Sequence, residues 1–94
     1  SDVYKRQILY IVLFNKYIVR LMIEMYTKGY VTRKTQTVYS SVLGYYIALR
    51  FLRKHGLIEC NGVEKNMMKK WKLTPKGREL VEHILEIRRL LEVK

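Results

Sequence analysis

The spacing of apolar residues changes from helical to alternating after Gly56 and returns to helical near the C-terminus. Over 16–28 and 42–55 apolar side chains recur at intervals of three and four, which is typical of helices with one buried face. Between 57 and 73 they alternate around a turn signal at Asn61-Gly62, as in a half-buried antiparallel hairpin. The chain is therefore expected to be an α+β protein, mostly α, with one hairpin set between helices.

Capping residues mark the ends of the N-terminal helices. Asp2 can cap a leading helix over 2–14 that has a broad apolar face. Asn15-Lys16 is then either a break or a short polar interruption within one longer helix. The helical spacing continues from Lys16 to Lys28, and Gly29 stands where a C-terminal cap belongs.

Two helices joined by a tight polar turn are predicted in the middle of the chain. After a short extended piece, Thr32 can cap a brief helix over 33–39. Ser40-Ser41 then makes a turn and caps the next helix, over 42–55. Two helices arranged in this way form a helix-turn-helix pattern.

A hairpin and a last helix complete the predicted elements. Strands are expected over 57–60 and 67–73, and in the second strand Trp71 and the next apolar residue alternate with lysines. Thr74-Pro75 is a favourable start for a helix over 75–93, because Thr is a good cap and Pro suits the first helical position.

Positive charge is the first indication of function. The 94 residues suffice for one domain and carry a net charge of +11. Nine of the nineteen basic residues lie in 31–72 with only two acidic ones, a net charge of +7. Such an excess suggests a polyanionic partner, with nucleic acid as the first candidate and an anionic membrane surface as the second. The alternative is a generally basic proteome or a device for solubility.

The inventory of reactive side chains argues against an enzyme. Two His, one Asp and seven Glu form no recognisable nucleophile–base pair, phosphate-binding glycine loop or cluster of metal ligands. No catalytic residue, metal or cofactor is expected. Cys60 is the only cysteine and is expected to be a small core residue in a reducing interior. No signal peptide or membrane span is visible, so a cytoplasmic location is expected.

Two short strings resemble those of winged helix-turn-helix proteins. Gly56-Leu57-Ile58 follows the predicted second helix of the pair, and Leu73-Thr74-Pro75-Lys76-Gly77 follows the hairpin, as in MarR-like and PadR-like regulators. The segment 45–52 resembles the PadR-type pattern and is similar to small winged-helix proteins of crenarchaeal spindle-shaped viruses. The chain departs from PadR regulators in lacking their long C-terminal helical domain, and from larger MarR proteins in its short flanks.

The resemblance implies one winged-helix domain over 1–94 that binds double-stranded DNA. The helix-turn-helix core would be 16–56 and the wing 57–73, with the 42–55 helix in the major groove and the wing on the backbone or minor groove. Arg50 is the first choice for a base contact, because its guanidinium fork suits guanine. The full set of expected DNA-binding residues is Arg33, Lys34, Ser40, Ser41, Tyr46, Arg50, Arg53, Lys65, Lys69 and Lys70.

Apolar seams near both chain ends suggest a homodimer. Leu80, Ile84, Ile87 and Leu91 are spaced four, three and four apart, which suits pairing with another helix. Ile8 and Ile11 of the leading helix are expected to join this interface. The alternative is that the last helix packs on its own domain.

The leading hypothesis is a homodimeric transcription regulator without a small-molecule effector. The alternatives are a chromatin protein of crenarchaeal type that coats DNA with little sequence preference, and a winged-helix module that binds proteins. RNA binding is disfavoured, because no stacking platform is recognisable. The richness in Lys, Arg, Ile and Tyr fits a thermophilic archaeal or viral source. The protein would then be nucleoid-associated, or cytoplasmic in the host if viral.

Overall fold

A computed structural model of the chain describes residues 3, 6–7, 15–61 and 69–92. The elements with defined ends are α1 (Lys16–Lys28), α2 (Val42–Lys54), β1 (Ile58–Asn61), β2 (Lys70–Leu73) and α3 (Pro75–Leu91). The strands pair antiparallel in a two-stranded sheet. The described residues thus confirm an α+β protein that is mostly α. Residues 3, 6 and 7 are helical. The rest of the predicted leading helix, and the segment 62–68, lie outside the described residues.

α1 begins and ends at the residues that the sequence indicates. The Asn15 side chain accepts the N–H groups of Tyr17 and Ile18 at 3.1 and 3.0 Å. It therefore caps a new helix, so Asn15-Lys16 is a helix start. Gly29 ends α1 with φ 95° and donates its N–H to the Met25 carbonyl at 2.8 Å. Glycine adopts this positive φ without the steric cost that other residues meet.

One hydrophobic core joins a face of each helix to one face of the sheet. Its residues are Ile18, Leu21, Met22 and Met25 of α1, Tyr45, Ala48, Leu49 and Leu52 of α2, Val81 and Ile84 of α3, and Val31, Leu57, Ile58, Trp71 and Leu73. Burial of each large aliphatic side chain contributes about 1.5–3 kcal/mol. The apolar residues that recur at helical spacing in the sequence therefore face one shared core.

The segment before α2 departs from the prediction. Residues 33–35 form a single turn, and no helix follows between residue 36 and α2. The Thr32 N–H donates to Thr35 Oγ1 at 2.8 Å, and the Thr35 N–H donates to Thr32 Oγ1 at 3.1 Å. These reciprocal bonds cap the single turn, but the N–H groups of Thr37 and Tyr39 then donate to the side chains of Glu24 and Gln36 at 3.2 and 2.8 Å instead of continuing a helix. The predicted helix over 33–39, and the helix-turn-helix that it would complete, were therefore wrong.

The hairpin gains a third extended neighbour. Val31 and Trp71 exchange two backbone hydrogen bonds of 2.9 Å, so Val31 lies beside β2 as an isolated bridge. Trp71 is buried and Lys70 exposed, which confirms the predicted alternation. Cys60 is exposed, so the expectation of a core residue was wrong. Ile58, two residues earlier on the same face of β1, is buried, so the core ends between Ile58 and Cys60.

The two strings that carry the family resemblance meet at one junction. The Thr74 hydroxyl donates to the Gly56 carbonyl at 2.7 Å and accepts the Gly77 N–H at 3.0 Å as the cap of α3. The Thr74 N–H donates to the Leu57 carbonyl at 3.0 Å, and the Leu57 N–H donates to the Leu52 carbonyl at 2.9 Å. These bonds join the end of α2 to the start of α3.

Candidate nucleic-acid interface

α2 starts at a serine cap with small residues around its first turn. Ser41 Oγ accepts the Gly44 N–H at 3.0 Å, and both Ser40 and Ser41 are exposed. A Cβ atom at Gly44 would stand 3.0 Å from Ser41 Oγ and 3.1 Å from Tyr39 Cδ1, so glycine lets the preceding loop pack closely. The positive end of the helix dipole is therefore accessible at the surface.

Two buried polar side chains, Glu24 and Gln36, hold the loop that leads into α2. The Glu24 carboxylate accepts the Thr37 N–H at 3.2 Å and pairs with Lys28 Nζ at 3.0 Å. The Gln36 amide donates to the Tyr39 carbonyl at 2.7 Å and accepts the Tyr39 N–H at 2.8 Å. Sequence reasoning missed both residues. One available signal was that Glu24 is the only acidic residue of α1.

An open groove runs between α2 and β2. It is lined by Tyr46, Leu49, Arg50, Arg53, Lys54 and Trp71. The Arg53 guanidinium lies 5.9 Å from the centre of the Trp71 ring, a distance at which cation and ring attract. The groove brings together three of the residues expected to bind DNA, namely Tyr46, Arg50 and Arg53. Lys54 was missed, although it follows Arg50 by four positions on the same helix.

The cations of this groove have no acidic partners among the residues that the structure describes. Within the part of the chain that the structure describes, no carboxylate pairs with Arg50, Arg53 or Lys54. The carboxylates of α3 and its cap have partners of their own: Glu79 is near His83, Glu82 accepts from Tyr26, Glu86 pairs with Arg89, and Glu92 pairs with Arg88. The carboxylates of α3 and its cap are therefore matched by neighbouring groups, whereas the cations of α2 have no carboxylate partner among the described residues.

The lysines near the start of β2 are exposed and do not line the groove. Lys69 and Lys70 are both exposed, and Lys70 Nζ lies 4.8 Å from the centre of the Tyr30 ring. Lys72 is 3.8 Å from the Glu59 carboxylate on the paired strand. Lys65 lies outside the described residues.

Arg33 lies over Tyr45 rather than in the groove. Its guanidinium carbon is 5.9 Å from the Tyr45 ring centre, and its Nε atom is buried without a hydrogen bond. The Tyr45 hydroxyl is likewise buried without a partner, and burial, followed by the neighbouring Tyr46, raises the pKa of Tyr45 to about 12. The next residue, Lys34, is exposed.

The residues expected at a dimer interface divide between core and surface. Ile84 is buried in the core of the chain itself, and Leu80 packs partly against that core. Ile87 and Leu91 are exposed by 47% and 80%, and Leu90 beside them is also exposed. Ile8 and Ile11 lie outside the described residues. The exposed apolar surface of α3 is therefore confined to its last two turns.

The comparisons with known proteins give no match. No protein-family model, curated protein or solved structure resembles this chain closely enough to be counted. Among the described residues, no helix is long and apolar enough to cross a membrane.

Proposed function

We propose that this protein binds double-stranded DNA as a winged-helix protein, with α2 in the major groove and the β1–β2 hairpin as the wing. The order of elements supports this proposal, because Val31 bridges to β2 between α1 and α2, and the hairpin follows α2 directly. A loop held by Glu24 and Gln36 takes the place of the short helix that usually precedes a recognition helix.

The observation that carries the proposal is the uncompensated positive charge on an exposed helix. α2 is 13 residues long, about 20 Å, and presents Arg50, Arg53 and Lys54 beside Trp71 without carboxylate partners in the described part of the chain. The major groove of B-DNA is wide enough to admit an α-helix, and its walls are phosphates that attract such cations. Arg50 is the proposed base contact. Arg53, Lys54, Lys69 and Lys70 are the proposed phosphate contacts, with Ser40 and Ser41 at the helix start.

A homodimer is part of the proposal. Ile87, Leu90 and Leu91 form an exposed apolar surface at the end of α3, where contact with a second copy would remove it from water. Two copies related by a two-fold axis would present two α2 helices to a palindromic site. A homodimer on such a site is the arrangement expected of a transcription regulator.

Competition binding tests the proposal. We expect the protein to bind, at low salt, a labelled duplex selected from random sequences. Random duplexes should compete about a thousandfold less well than the selected duplex itself. If the dimer makes about ten phosphate contacts, the logarithm of affinity falls with the logarithm of salt concentration with a slope of roughly −9. Equal competition by all duplexes would favour a chromatin protein without sequence preference. Absence of binding at low salt would reject DNA binding and favour a protein-interaction module.

A further inference from the structure

The first two turns of α2 expose apolar side chains where a surface helix usually carries polar ones. Leu43, Ile47 and Tyr46 are exposed by 71%, 57% and 51%, and Val42 by 52%. Large apolar side chains grouped on a surface typically mark a binding site. We call the group of Val42, Leu43, Tyr46 and Ile47 the apolar half of α2.

The apolar half continues into the cations of the groove along the same face of the helix. Residues three and four apart are neighbours on a helix, so Leu43, Ile47 and Arg50 follow one another along one stripe. Arg53 and Lys54 extend that stripe by one further turn. The face is therefore apolar towards the helix N-terminus and cationic towards its C-terminus.

The charge of this face limits what can cover it. A second copy's α2 packed on this face would offer Arg50, Arg53 and Lys54 only cations and apolar side chains, because α2 contains no carboxylate. These three cations also have no carboxylate partner among the described residues of their own chain, so such a contact would leave their charge unmatched. The complementary partner is one that offers negative charge and a small apolar surface side by side.

A DNA duplex offers both in its major groove. The phosphates line the groove edges, and the C5 methyl group of thymine is the apolar group that bases display on its floor. The N-terminal residues of a recognition helix are the ones that reach the base edges. On α2 those residues are the apolar half; Arg50, the proposed guanine contact, follows within one turn, and Arg53 and Lys54 stand beyond it.

We propose that Leu43 and Ile47 contact thymine methyl groups, so that this protein selects duplexes with thymines in the major groove under the start of α2. This inference rests on the proposed DNA binding and specifies its substrate. Tyr46 lines the groove together with Arg50, and its exposed ring adds apolar contact area beside the two aliphatic side chains.

Uracil substitution tests the inference, because uracil lacks only the methyl group of thymine. The duplex best bound in a selection from random sequences is synthesised with thymine and again with uracil throughout, and both affinities are measured by fluorescence anisotropy. We expect affinity to fall about fourfold for each contacted methyl that is removed. Ile47→Ala and Leu43→Ala should each reduce this thymine-to-uracil ratio. Because both side chains are exposed, circular dichroism and the melting temperature should stay unchanged.

Lys70→Ala is the matched control. It removes a proposed phosphate contact, so it should weaken both duplexes equally and leave the ratio unchanged. Equal affinity of the wild-type protein for both duplexes would overturn the methyl contacts while DNA binding stands. If no duplex binds at low salt, both proposals fail together. A change of sedimentation coefficient in Ile47→Ala would overturn the inference in favour of a protein contact at this face.

Discussion

Tyr45 and Arg33 contribute two buried polar atoms that have no hydrogen-bond partner among the described residues, the Tyr45 hydroxyl and the Arg33 Nε. Leaving such a group unsatisfied costs about 1–3 kcal/mol. Tyr45 is nonetheless one of the largest fully buried side chains, and its ring packs against both Arg33 and Tyr46. The ring therefore stabilises the fold and the hydroxyl opposes it.

Tyr45→Phe should stabilise the protein. Removal of the hydroxyl relieves its desolvation and keeps the ring, so the free energy of unfolding in urea at neutral pH should rise by about 1 kcal/mol. Tyr46→Phe, at the exposed neighbour, should change it by less than about 0.5 kcal/mol. A loss of stability in Tyr45→Phe would mean that the hydroxyl has a bonding partner in solution.

Alkaline pH should widen the difference between Tyr45→Phe and the wild type. Burial raises the pKa of Tyr45 from 10.0 to about 12, so the folded state keeps a proton that the unfolded state loses. Ionisation of Tyr45 therefore leaves the free energy of unfolding of the wild type unchanged below pH 10 and lowers it as the pH rises from 10 towards 12. Between pH 9 and pH 11 the free energy of unfolding in urea should therefore fall more for the wild type than for Tyr45→Phe.

Arg50 and Lys70 should differ in what their removal does to DNA binding. Arg50→Ala should cost about 1–3 kcal/mol on the preferred site and relax the preference at one base, because the proposed bidentate contact reads guanine. Lys70→Ala should weaken all duplexes alike and make the salt slope shallower by about 0.9 for each phosphate that it no longer neutralises. Anisotropy titrations on preferred and scrambled duplexes measure both. Equal effects of the two variants on every duplex would contradict this division of roles.

At the scale of elements, the junction of α2, the hairpin and α3 determines how the helices are placed. Thr74 caps α3 and at the same time bonds to the Gly56 carbonyl at the end of α2. Gly56 itself has φ 72°, which lets the chain turn from α2 towards β1. α3 then approaches so closely that its third residue, Gly77, packs on the backbone of Leu57.

Gly77→Ala should disrupt this junction. A Cβ atom at position 77 would stand 2.1 Å from the Leu57 carbonyl oxygen, and a backbone oxygen cannot rotate away as a side chain can. We expect a loss of about 3 kcal/mol, at the upper end of overpacking effects, measured by thermal and urea unfolding. Glu79→Ala, two residues on and exposed, should change stability by less than about 0.5 kcal/mol. Unchanged stability in Gly77→Ala would contradict the tight packing.

At the scale of the whole molecule, the matched carboxylates and the unmatched cations of the described residues lie on different helices. The carboxylates of α3 are matched by neighbouring basic or hydroxyl groups, while the cations of α2 are not. Groups of several exposed apolar side chains occur among the described residues at the start of α2 and at the end of α3. This separation allows one end of the protein to bind DNA while the other contacts a second copy.

Ile87→Glu combined with Leu91→Glu should produce a monomer. Two carboxylates on the exposed end of α3 would have to be buried at the proposed interface, and burial of unpaired charges is costly. Sedimentation velocity should show the wild type as a dimer and the double variant as a monomer with unchanged circular dichroism. Leu43→Ala, at the exposed start of α2, is the control and should remain a dimer. A monomeric wild type would reject the proposed homodimer.

Much of the architecture follows from local signals in the sequence. The end of α1 was predicted from Gly29 and the start of α3 from Thr74-Pro75, because caps act on hydrogen bonds within a few residues, whereas Asn15-Lys16 was left open as a break or an interruption. The candidate site was predicted in part: Tyr46, Arg50 and Arg53 meet in the groove, whereas Arg33 packs on Tyr45. The spacing of apolar residues in α3 did not show which of them are buried. Ile84 lies in the core, whereas Ile87 and Leu91 are exposed because the last turns of α3 extend past the core.

The sequence by itself determined α1, α2 and α3, the alternation in β2 and the excess of positive charge, since each depends on neighbours along the chain. Only the tertiary structure decided that 33–39 forms a turn and a loop, because Glu24 reaches Thr37 from another element. It also decided the bridge between Val31 and Trp71, and which cations have acidic partners. Contacts between residues distant in sequence form only when the whole core packs, so local patterns carry no record of them.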